Sequence, residues 1–166
     1  MRYLPGRAFP PYAFLPGRDP HPTRDPRGHS FGHEEAAVEY LPPARWRENA
    51  SYLWGVDLYN HAYLWEAHEA WEGLWHASKR DRIQALHLQG LIQCGAAWLK
   101  IAMGQPNGVR RLSELALEKL QEVARDQRGS YMGLDLDRFL PEVRAFAESG
   151  PTAIEGFPLL SLDLAP

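Results

Sequence analysis

His68, Glu69 and Glu72 bring an imidazole and two carboxylates into a stretch of five residues, His68-Glu69-Ala70-Trp71-Glu72. These are donors for a metal ion, or an acid–base pair with a helper. At i, i+4 on a helix, His68 and Glu72 share one face, whereas Glu69 points about 100° from His68. On that count one ion takes two ligands from this helix, and Glu69 needs help from another. The zinc-protease spacing His-Glu-x-x-His is not met, because Glu72 stands in the second histidine position. Glu66 lies one turn ahead.

These groups sit among tryptophans. Trp65, His68, Glu72 and Trp75 fall on one helical face, and Leu64, Ala67, Trp71 and Leu74 on the adjoining stripe. The pattern places His68 and Glu72 inside a core-facing surface. A buried polar group without a partner costs about 1–3 kcal/mol, so Glu72 is expected to be buried and bonded to a neighbour on its own helix or the next.

The elements that position this stretch follow from spacing and punctuation. Pro42-Pro43 opens a first helix, Ala44 to Asn60, with Trp46, Leu53, Trp54 and Leu58 as apolar contacts. The motif helix is second and ends near Ala77. A third, Arg80 to Met103, is apolar nearly all round and therefore central. Gly104-Gln105-Pro106-Asn107-Gly108 stops it. A fourth runs from Val109 to Arg125. A fifth is capped by Asp135 or Asp137, with Pro141 tolerable only in its first turn. Phe157 to Leu162 reads as an extended strap. No alternation of Val and Ile appears, so no sheet is expected. The fold class is all-α: a small bundle of about five helices with a Pro-rich N-terminal arm (residues 1–42) and a helical domain (residues 43–166).

If the second and third helices turn back near Lys79, Gln89 and Gly90 face His68, Gln93 faces Trp65, and Leu86 faces Glu72. Arg82 comes within a turn of Glu72. The expected polar cluster is therefore His68, Glu72, Gln89 and Arg82, with Glu66, Glu69, Gln93 and His61 at its edge. Gly90 is read as room for the tryptophans.

The motif resembles a bacterial and archaeal family catalogued as domain of unknown function three-hundred-nine. The resemblance rests on Tyr59-Asn60, Tyr63 to Glu72 with Trp75, and Leu88-Gln89-Gly90-Leu91-Ile92-Gln93, and Gly133-Leu134-Asp135 adds to it. It spans about residues 44–148 and leaves residues 1–30 outside. It implies a small helical bundle with no established activity, and a chain break near Ala62 that parts His61 from His68.

Composition bounds the remaining classes. The chain has 166 residues, 45% of them hydrophobic and 23% charged, which suits one globular domain. A single cysteine, Cys94, rules out an intrachain disulfide framework and a multi-cysteine zinc site. No apolar run reaches the length of a membrane span, and the N-terminus lacks a signal-peptide pattern. A cytoplasmic protein is expected. The net charge of −3 divides unevenly: residues 1–30 carry five arginines against two aspartates, and the remainder thirteen basic against nineteen acidic residues. So acidic a body is a poor nucleic-acid binder. The arm repeats itself, Tyr3-Leu4-Pro5-Gly6-Arg7 and Phe14-Leu15-Pro16-Gly17-Arg18, each with a Pro-Gly centre suited to a type II turn. Its aromatics and positive charge predict docking on a hydrophobic surface of the same subunit or of a second copy, a homo-oligomer being possible. His29 and His33 with Glu34 read as a solvated histidine-rich turn.

The functional expectation is a structural polar network in an interaction or binding protein. The alternative is a small-ligand or metal-dependent enzyme using His68, Glu69 and Glu72. No cofactor is expected, and transition metal is expected well below one equivalent, because Gln89 is a weak ligand and Arg82 repels a cation.

Overall fold

The computed structural model describes residues 1–34 and 36–164. Five α-helices run through these residues as an all-α bundle: α1 (Ala50–Asn60), α2 (Leu64–Ala77), α3 (Arg82–Ala102), α4 (Asn107–Asp126) and α5 (Leu136–Glu148). The expected first helix is divided. Pro43–Glu48 forms a 3-10 turn. Asn49 then caps α1, its side chain accepting the Tyr52 N–H at 3.0 Å. Asparagine competes well for a cap and poorly for a helix interior, which explains the division. Asp81 and Asp135 cap α3 and α5 in the same way.

Helix α3 packs between α2 and α4, and α5 closes over α4. Trp71, Trp98, Tyr52 and Tyr59 are among the largest fully buried side chains. Two glycines permit the close approaches. A Cβ at Gly90 would stand 2.5 Å from Leu120 Cγ, and one at Gly55 would enter the Trp71 ring. Gly90 therefore makes room for Leu120 of α4, not for the tryptophans. Every residue from Tyr52 to Tyr59 is buried, because α1 is covered on several sides at once. The Trp71 indole donates to Tyr52 O at 3.2 Å. On another side, Tyr59 Oη donates to Pro158 O at 2.9 Å.

Two local expectations need correction. A small hairpin, β1 (Ser130–Tyr131) and β2 (Leu134–Asp135), joins α4 to α5. Strands of two residues are too short to show alternation in a sequence. Pro141 lies in the second turn of α5, not the first. It and Asp137 are both exposed, so water can take the carbonyl that the missing N–H leaves unpaired.

The C-terminal strap is extended. Leu160 and Leu162 are buried while Leu159 faces out, and Leu162 forms an antiparallel bridge with Leu134. Asn60 holds the strap at both polar atoms of Leu160, each at 2.8 Å. The arm is docked as well. Phe9 stacks on Trp54 and Tyr63, Phe14 is buried, and Leu162 N donates to Tyr3 Oη at 2.7 Å. Both repeats turn with an Arg N–H to Leu O bond, Arg7 to Leu4 and Arg18 to Leu15. Only Gly17 has the positive φ, +84°, of a type II turn.

Candidate functional site

Helix α2 divides its polar side chains between two surroundings. The buried stripe is Leu64, Glu66, Ala67, Trp71 and Leu74. His68 and Glu72 each follow a member of that stripe by one residue, which rotates them to its flank. Their side chains are 39% and 41% exposed. The expected burial of Glu72 is thus corrected: the apolar face is narrower than the tryptophans suggest, because Trp65 and Trp75 are themselves only partly buried.

On this open flank the donors converge. His68 Nε2 lies 3.6 Å from Glu72 Oε2. One donor atom each from His68, Glu69 and Glu72 fits within 4.8 Å of the others. Glu69 starts from a different face of the helix wheel, but a glutamate is long enough to bring its carboxylate back toward its neighbours. Two donors on a tetrahedral ion with bonds of about 2.0–2.2 Å stand about 3.4 Å apart, close to the His68–Glu72 spacing. His76 approaches the second Glu72 oxygen at 3.8 Å. His68, Glu72 and His76 fall at i, i+4, i+8, so the helix repeat places all three along one line.

The other expected members are elsewhere. Arg82 pairs with Glu122 of α4, because the first turn of α3 meets α4. It therefore places no cation beside Glu72. Gln89 and Gln93 are half-buried on α3. Among the described residues no hydrogen bond joins Gln89 to His68 or Glu72, and Gln93 Oε1 is buried without a partner. His61 turns back on its own helix, with Nδ1 2.8 Å from Asp57 O. Ala62, at φ +62°, breaks the chain just after it.

A buried polar network does exist; of the residues expected around His68 it includes Glu66, and its other members come from α1 and the arm. Asp57, fully buried in α1, accepts the N–H groups of Tyr3 and Leu4 at 2.8 Å each. Glu66 Oε1 accepts the Phe14 N–H at 2.8 Å and lies 2.9 Å from His29 Nε2. His29 is therefore a buried partner and not part of a solvated turn, whereas His33 and Glu34 are exposed. One signal was available for Asp57: a carboxylate inside an apolar helix must find donors.

A third set lies under the hairpin. Tyr52 Oη donates to Met132 O at 3.1 Å and stands 3.2 Å from His87 Nε2. Burial pushes the His87 pKa down to about 3. Cys94 is also fully buried, and burial pushes its thiol up to about 12, far from a nucleophile. Two clefts on the surface are lined by α4, α5, the hairpin and the strap, and by no residue of α2.

Among the described residues no helix is long and apolar enough to cross a membrane. Residues 52–112 match the model of the family described as Domain of unknown function (DUF309), the family that the motif resembles. The matched segment runs from Tyr52 in α1 to Leu112 in α4 and holds His68, Glu69, Glu72 and His76. No curated protein and no solved structure matches the chain.

Proposed function

We propose that the chain is a binding protein whose site is the open flank of α2, and that His68, Glu69 and Glu72 take a divalent transition-metal ion there. The observation that carries this reading is the convergence of three donor atoms within 4.8 Å on a solvent-open helix face. An imidazole with two carboxylates is a donor set that suits zinc and its neighbours in the first transition row. Three protein ligands leave a position for water or a ligand's oxygen, so the ion can present a bound molecule to solvent. His76 stands 3.8 Å from the far oxygen of Glu72, beyond hydrogen-bond length and open to water. The structural role in this reading falls to Asp57 and to Glu66, the latter an expected member of the polar cluster. A cytoplasmic setting belongs to the same proposal, supported by a composition with one cysteine and so no intrachain disulfide framework.

The test is thermal unfolding of chelator-treated protein with and without zinc. A ligand at a hundredfold excess over its Kd stabilises by about 2.7 kcal/mol. For a chain of this size the midpoint then rises by about 5–10 °C. No rise with zinc, manganese, cobalt or nickel contradicts the proposal.

A further inference from the structure

The two repeats of the arm are held by the same device. In each, the aromatic residue's backbone N–H points into a buried carboxylate of the bundle: Tyr3 into Asp57 of α1 and Phe14 into Glu66 of α2, both at 2.8 Å. In each, the following Leu-Pro-Gly-Arg closes a turn. In each, one side chain of the repeat meets the bundle's aromatics. Phe14 stands edge-on to Trp65 at 5.2 Å, and the Arg7 guanidinium lies 4.4 Å over Trp54. Phe9, between the repeats, stacks on Trp54 and Tyr63.

Asp57 and Glu66 have their observed donors in the arm: the backbone of both repeats, His29 at Glu66 and the Arg2 side chain 3.7 Å from Asp57. Without an arm segment each would be a carboxylate set in an apolar surface, which is costly. The α1–α2 face therefore requires an occupant of stated form. We propose that this face is a receptor for aromatic-Leu-Pro-Gly-Arg segments, and that its partner in trans is the arm of a second copy of this chain. A second copy's arm supplies identical contacts. Its charge is complementary too, five arginines against two aspartates in residues 1–30 facing a body with an excess of acidic residues. Residues 36–42, between arm and bundle, form neither helix nor strand, so a reciprocal exchange need not unfold an element. This inference is independent of the metal proposal.

The test starts from the full chain with a site-specific protease sequence inserted after Ala36, cut once the protein has folded. The probe is a fluorescein-labelled peptide of residues 1–33. The expected result is that the cut arm stays bound through gel filtration and the labelled peptide exchanges into its place with saturable anisotropy. A peptide carrying Tyr3→Ala, Phe9→Ala and Phe14→Ala should bind at least tenfold more weakly. The uncut chain should show a dimer in sedimentation at high concentration, and excess free peptide should suppress it. Four results each overturn the proposal: immediate loss of the cut arm, precipitation of the bundle on its release, equal binding of the triple-alanine peptide, or an uncut chain that stays monomeric at every concentration.

Discussion

Glu66 of α2 and His29 of the arm meet at 2.9 Å across 37 residues of sequence, with side chains only 5% and 4% exposed. Glu66 also takes the Phe14 N–H. Its removal strands two buried donors, each at a cost of about 1–3 kcal/mol. Glu66→Ala is therefore expected to destabilise by about 3 kcal/mol in a denaturant melt, with the arm becoming sensitive to protease. A loss below 1 kcal/mol would show that the contact does not hold the arm.

Glu72 behaves differently. Its contacts with His68 and His76 are long and open to water, at 3.6 and 3.8 Å. Exposed pairs contribute about 0–1 kcal/mol. Glu72→Ala in metal-free protein is expected to shift stability by less than about 1 kcal/mol. A cost of 3 kcal/mol or more would place it in the structural network after all.

How much of this was legible depends on how local each cause is. Helix α4 could be read because Leu112, Ala116, Leu120 and Val123 repeat at helical spacing beside charged neighbours. The Asp81 and Asp135 caps sit where a capping residue belongs. The surroundings of Glu66 could not be read, since its partners lie 37 and 52 residues away in a segment without periodicity. The α2–α3 turn alone brings Arg82 toward Glu72, and the approach of α4, which supplies Glu122, is a tertiary fact. The chemistry of His68, Glu69 and Glu72 is legible in their residue types, whereas the exposure of His68 and Glu72 turns on about one residue of helix rotation, the difference between Ala67 and His68.

Gly90 and Leu120 supply a packing prediction. Gly90→Ala forces Leu120 or the helices apart, and overpacking costs about 1–3 kcal/mol. Circular dichroism during thermal unfolding should show a lower midpoint, largely recovered by Leu120→Val in the same chain. An unchanged midpoint would mean that α3 and α4 do not approach this closely.

His87 predicts a pH dependence. In the folded chain burial holds it neutral down to about pH 3. The unfolded chain takes up the proton near pH 6.5. The stabilisation is therefore complete above that value and is lost as pH falls toward 3. The loss amounts to about 2 kcal/mol by pH 5, above the range where most carboxylates titrate. Urea midpoints between pH 7 and 5 should fall for the wild type and flatten for His87→Gln. Equal slopes in the two proteins would refute the assignment.

The metal proposal is tested most directly by calorimetric titration of zinc into chelator-treated full-length protein. The expected result is one equivalent bound with a Kd in the micromolar range or below. Binding should be abolished in His68→Ala and in Glu72→Ala, while both variants keep the wild-type melting midpoint in chelator. Heat of dilution alone, or an unchanged isotherm in both variants, would contradict the assignment of His68, Glu69 and Glu72 as the site.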